Sequence, residues 1–164
     1  MQSFRLYPVI HGELAYRIFC VMNTVEVAID IDRRLVDVWD QVSQLEDHAH
    51  WMGDVESITF QGGQTSGVGT TMNVLTRVGP FTTVDVITVE EWDAPYSIVV
   101  SHQGLISGHG AFRLETIGAS TRFTWRESLS FPWYLGGGIT ALAARPILER
   151  IWRANLRRFA ATLA

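Results

Sequence analysis

A chain of 164 residues with 47% hydrophobic and 18% charged residues has the mass for one domain with a real core, and its composition excludes wholesale disorder. Its net charge of −4 argues against a whole-surface attraction to nucleic acid or an anionic membrane, so no nucleic-acid partner is expected. All 13 basic residues are arginine and the one cysteine is Cys20, which excludes lysine Schiff-base chemistry, a phosphate loop ending in Gly-Lys-Ser/Thr, a disulfide framework and a thiolate metal cluster.

Residues 1–22 mix apolar and polar positions without a period, and Pro8 and Gly12 break them. Glu13 and Arg17 interrupt what would be the apolar part of a secretory signal. No apolar run reaches the roughly 18 residues of a membrane span. The expectation is an N-terminal arm over 1–22, a single domain over 23–164, no integral membrane segment, and a cytoplasmic location.

From Asn23 to Ile31 the residues Val25, Val27, Ile29 and Ile31 alternate with polar or small ones, which predicts a half-buried strand. Asp32 then suits a helix N-cap, and Leu35, Val38, Trp39 and Val42 make one face of a short helix. A second short helix is expected over Leu45–Met52, ending at Gly53. Six strands follow, Val55–Gln61, Val68–Val78, Phe81–Trp92, Ser97–Gln103, Gly108–Ile117 and Ser120–Phe131, separated by Gly- and Pro-containing turns. Short connections between consecutive strands mean an antiparallel meander.

After Trp133-Tyr134-Leu135 three glycines predict a flexible break, then a long helix with Pro146 in the first turn of its main segment. Leu148, Trp152, Leu156, Phe159 and Leu163 share one side of it, opposite Arg150, Arg153 and Arg157. The fold class is α+β: a seven-stranded curved antiparallel sheet wrapped on the long C-terminal helix, with two short helices after strand 1. A bent sheet closed by one helix leaves a space that side chains need not fill, which is the physical route to a ligand cavity.

Val38-Trp39, Trp51, the Gly67-Val68-Gly69-Thr70 turn, the Val89-Glu90-Glu91-Trp92-Asp93-Ala94-Pro95 strand ending and Ser120-Thr121-Arg122-Phe123-Thr124-Trp125 carry a resemblance. Over about residues 23–163 the chain resembles the START-like (birch-pollen-allergen-like, helix-grip) superfamily, most of all its polyketide cyclase/dehydrase-like branch. The resemblance implies a helix-grip fold and leaves the function open, since such domains bind lipids, sterols, hormones or polyketides and some catalyse.

Candidate site residues follow from strand phase. His102 continues the apolar phase of Ile98 and Val100, which places it on the proposed cavity wall. Phe123, Trp125, Glu127 and Leu129 share a face opposite Arg122 and Arg126, so Glu127 turns inward unless the strand bulges near Ser128 and pairs it with an arginine at the rim. Val100, Phe112, Phe123, Trp125, Trp152 and Phe159 are the expected apolar wall, with His102, Glu127 and Asn155 orienting polar groups. Asn155 interrupts the helical stripe and needs a backbone or ligand partner. Phe131–Gly138 is the expected gate.

His48 and His50 stand two apart, about 200° around a helix, and cannot share an ion, so no metal and no cofactor are expected. Trp39 and Trp51 are read as packing before gating, and His109, Arg113 and Arg77 as outward. The leading function is binding of a small, largely hydrophobic molecule. The alternative is a polyketide cyclase, aromatase or dehydratase with His102 and Glu127 as acid–base groups. A third class is an interaction domain in which Trp133 and Tyr134 join a homodimer.

Overall fold

In the first strand, β1 (Thr24–Ile31), Val25, Val27 and Ile31 are buried while Glu26, Ala28 and Asp30 face solvent, the alternation visible in the sequence. The computed structural model describes residues 24–105, 107–130, 133–135 and 137–164, and the arm expected over 1–22 lies outside them. After β1 come α1 (Leu35–Val42), a 3-10 turn (Leu45–Asp47) and α2 (His48–Trp51). Six strands follow: β2 (Val55–Phe60), β3 (Thr71–Val78), β4 (Phe81–Asp93), β5 (Ser97–Gln103), β6 (Ser107–Ile117) and β7 (Ser120–Ser130). A 3-10 turn (Trp133–Leu135) precedes α3 (Gly137–Thr162).

The seven strands form one antiparallel sheet in the order β1-β7-β6-β5-β4-β3-β2, so β2 to β7 are the expected meander and β1 returns to pair with the last strand. The α3 helix lies chiefly against β1 and β7. With 26 residues it is about 39 Å long at 1.5 Å per residue. Trp152, Leu156 and Phe159 of its predicted stripe are buried. This is the helix-grip arrangement that the sequence led us to expect.

Three local expectations are corrected. Asp32 is not the N-cap of α1; the helix starts at Leu35 behind Arg34, whose guanidinium grips Asp37 through two hydrogen bonds of 2.9 and 2.7 Å. The strand expected from Val68 begins at Thr71. Gly67 and Gly69 hold φ of 81° and 88°, a turn that side chains resist, and Val68 between them is exposed. Pro146 lies inside α3 rather than in its first turn, because the helix already runs from Gly137 and absorbs two of the three glycines read as flexible. The absent N–H would have bonded the carbonyl of Leu142, an exposed residue.

The core is split in two. One cluster joins β1, α1, Trp51, Phe123 and Trp125 to Trp152, Leu156 and Phe159; the other gathers Leu45, Met72, Val74, Val89 and Ile98. Between these clusters the sheet and α3 do not meet.

Candidate functional site

The gap is a cavity of about 910 Å³. Its sheet wall comes from six strands: Val55 and Ile58 of β2, Met72 and Val74 of β3, Ile87 of β4, Ile98 and Val100 of β5, Phe112 of β6, and Trp125 and Leu129 of β7. Leu148 and Trp152 close it from α3, Leu45 from the first 3-10 turn, and Met52 from the position just after α2. The rim carries Phe81, Leu105 and Ile147, all exposed. Trp125 and Trp152 stack with ring centres 5.1 Å apart and planes at 20°, which joins β7 to α3 at the cavity's inner end.

Phase also decides which polar groups enter. Residues Ser107 to Ile117 of β6 pair without interruption with Ser130 to Ser120 of β7. No bulge turns Glu127 outward, and the rim reading of that residue is overturned. Alternation carries Glu127 to the same face as Phe123 and Trp125, where it is buried. It sits opposite Gly110, and a Cβ there would come within 2.5 Å of Glu127 Oε1, so the carboxylate occupies room that only glycine leaves.

Trp125 donates its Nε1–H to Glu127 Oε1 at 2.9 Å. The other oxygen, Oε2, lies 3.1 Å from His102 Nε2, yet neither atom has a hydrogen-bond partner. The contact is therefore an ion pair by proximity rather than an aligned hydrogen bond. Burial opposes a charge on His102, but Glu127 and then Asp85 outweigh it and raise its pKa above the ordinary imidazole value.

Asp85 was not among the expected site residues. It follows Thr83 and precedes Ile87 on the inward phase of β4, and all three line the cavity. Burial raises its pKa, against a hydrogen bond from Thr83, the attraction of His102 and the Leu105 backbone. The available signal was the alternation Thr83, Asp85, Ile87, Val89, which a lone carboxylate among β-branched residues disguises.

Two expected wall residues and one expected polar contact lie elsewhere. Phe123 and Phe159 pack edge-to-face with each other at 5.2 Å and against Trp51, outside the cavity lining. Asn155 is fully buried and also lies off the cavity wall. Its Oδ1 accepts from Gly53 N–H at 3.1 Å and Arg158 Nη2 at 2.6 Å, and its Nδ2 donates to Asp54 Oδ1 at 2.7 Å. It fastens the segment after α2 to α3.

His48 Nε2 lies 2.7 Å from the carbonyl of Val42 and donates to it. Full burial pushes its pKa down to about 4, so it is neutral and touches the cavity as a ring. His50 is exposed beside Asp47, and among the described residues no group of three or more His, Cys, Asp or Glu could hold a metal ion. Trp51 is ringed by His48, Phe112, Phe123, Trp125 and Phe159, and Trp39 packs edge-on to Trp92; both are packing residues. His109 faces out near Glu90, and Arg77 is paired with Glu56. Within the expected gate, Trp133–Leu135 form a 3-10 turn and Gly137 opens α3, while Phe131, Pro132 and Gly136 lie outside the described residues. Among the described residues no helix is long and apolar enough to cross a membrane.

The family described as polyketide cyclase/dehydrase and lipid transport matches residues 22–164. Comparison with curated proteins found no match. Among solved structures, the chain is similar to TTHA0849 from Thermus thermophilus, with a TM-score of 0.73 at 15% identity, covering 84% of this chain and 94% of that one. It is also similar to the Zhui aromatase/cyclase from Streptomyces sp. R1128, with a TM-score of 0.65 at 15% identity and coverage of 85% and 92%. A START superfamily protein from Mycobacterium smegmatis aligns with a TM-score of 0.61 at 12% identity, covering 85% and 93%. Identities this low speak for the fold.

Proposed function

Because the chain belongs to the polyketide cyclase/dehydrase and lipid transport family, we propose that it encloses a small, largely hydrophobic molecule, of lipid, polyketide or aromatic type, between the sheet and α3. The observation that carries this reading is the cavity: about 910 Å³ with mostly apolar walls and a few polar groups among them, the usual form of a small-molecule site. Val100, Phe112, Trp125 and Trp152 supply apolar surface, while His102 and Glu127 orient the polar part. Removing the molecule's apolar surface from water provides the driving force.

A cavity-filling variant tests it. Val100→Trp projects an indole into the space from β5. Wild-type protein is expected to bind the neutral dye Nile red, and the variant to lose at least tenfold in affinity while its urea midpoint stays near that of the wild type. Equal dye binding by a folded variant refutes the assignment. Native mass spectrometry of the purified protein identifies any copurified molecule directly.

A second reading, an enzyme of the cyclase, aromatase or dehydratase type, is favoured by one observation: His102 and Glu127 reach the same cavity 3.1 Å apart. Ring closure of a poly-ketone needs a base to take a proton from a carbon between two carbonyls. It also needs an acid to protonate the oxygen of the carbonyl whose carbon the resulting carbanion attacks, as the C=O π pair moves onto that oxygen. A carboxylate at Glu127 and an imidazolium at His102 supply both. Trp133 and Tyr134, both exposed, remain our candidates for a homodimer contact, and the cytoplasm our candidate compartment.

A further inference from the structure

Charge on the cavity wall is one-sided. Its ionisable residues are Asp54, Asp85, Glu127, His48 and His102, and no described arginine lines it. The nearby cations border a neighbouring groove rather than the cavity. Arg77 is paired with Glu56, Arg158 donates to the Trp51 carbonyl and to Asn155, and Arg150 stands with these two along that groove, which shares Asp54, Val78, Gly79 and Ile147 with the cavity. Asp54 also borders that groove, and its Oδ1 is taken up by a hydrogen bond from Asn155, a residue off the cavity wall. His48 is neutral. Among the described residues, Asp85 and Glu127 thus face the cavity with His102 as the one cation on its wall.

That counter-charge leaves something over. Glu127 Oε1 is satisfied by Trp125, but Oε2 is buried without a hydrogen-bond partner, although His102 Nε2 is 3.1 Å away. A buried carboxylate oxygen with no donor is costly, and an N–H or O–H presented along its free lone pairs relieves that cost. An incoming carboxylate or phosphate would instead bring a further negative charge beside Asp85 and Glu127, where His102, the one cation among the described lining residues, already lies 3.1 Å from Glu127 Oε2.

We infer that the cavity selects its ligand by charge: the polar end is a hydrogen-bond donor without negative charge, best a protonated amine, set on Glu127 Oε2 with Asp85 as the second negative neighbour. The apolar body then lies against Trp125, Phe112 and Trp152, and the acid analogue of the same body is rejected. This rests on the ligand-binding reading above and adds the chemical class of the ligand to it.

The test is a matched set on the full chain: 2-(1-naphthyl)ethylamine, 2-(1-naphthyl)ethanol and 1-naphthylacetate, each competed against Nile red and titrated by calorimetry at pH 7. The expected order is amine, then alcohol, then acid, with at least tenfold between the first and last. Glu127→Gln keeps an acceptor for the Trp125 N–H and is expected to reduce the amine's advantage to threefold or less. Asp85→Asn narrows it in the same direction and serves if Glu127→Gln does not fold. Equal affinities, or the acid binding tightest, overturn the inference while leaving the ligand-binding reading standing. Failure of all three compounds and of Nile red removes that reading, and the inference with it.

Discussion

Replacing Asn155 with alanine separates a fastening role from a ligand-binding one. The side chain is fully buried and makes three hydrogen bonds, two of them with the charged groups of Arg158 and Asp54. A neutral bond contributes about 1 kcal/mol and a charged one about 1.5–3 kcal/mol, so simple addition gives about 4–7 kcal/mol. Arg158 and Asp54 are only part-buried in these bonds, and water or a direct pairing of the two recovers much of the charged share. The expected loss is about 3 kcal/mol, a drop in melting temperature of roughly 6–12 °C for a domain of this size. Urea unfolding of wild type and variant gives the first number and a thermal scan the second. Nile red affinity, measured well below the variant's melting point, is expected to change less than twofold, because Asn155 does not border the cavity. A loss below 1 kcal/mol, or a tenfold loss of dye affinity at unchanged stability, refutes the reasoning.

Gly110→Ala puts a methyl within 2.5 Å of Glu127 Oε1 and 2.8 Å of its Oε2. Displacing the carboxylate from Trp125 and His102 is expected to cost about 2–3 kcal/mol in urea, and NMR titration is expected to show the His102 pKa falling toward the ordinary imidazole value. His48 sets an acid limit on stability. Its folded pKa of about 4 lies below the ordinary value of 6.5, so the unfolded chain binds the extra proton first, and stability present above pH 6.5 is lost as pH falls toward 4. At 1.36 kcal/mol per unit the loss is about 3 kcal/mol. Urea midpoints across pH 4–7 check the slope, and His48→Gln is expected to flatten it.

Much of the site was legible because a strand's period is 2. Once Ile98 and Val100 face the core, His102 must, and once Arg122 and Arg126 face water, Trp125 must face inward, with Glu127 following only if no bulge intervenes near Ser128. Asp85 obeys the same rule. It was missed because the run Val84, Asp85, Val86, Ile87 is apolar on both phases, so the pattern does not say which side is the interior. The opposite error befell Phe123, Phe159 and Asn155. Each points inward as read, yet inward includes both the packed cluster around Trp51 and the open cavity. The helical start was misjudged for a local reason: glycine and proline weaken a helix by propensity, yet α3 is one helix from Gly137, anchored through Trp152, Leu156 and Phe159 of its C-terminal half.

Patterns along the chain determined the order of elements, the family, the faces of most strands and the inward turn of His102, because alternation and helical period are properties of neighbours a few residues apart. The inward turn of Glu127 waited on the unbroken register of β6 and β7. Where the interior stays open, which carboxylate meets which imidazole, and which buried side chains merely pack were decided by tertiary structure. Those depend on how far α3 stands from each strand and on the space Gly110 leaves for Glu127 across the sheet, distances between residues that the linear order keeps apart.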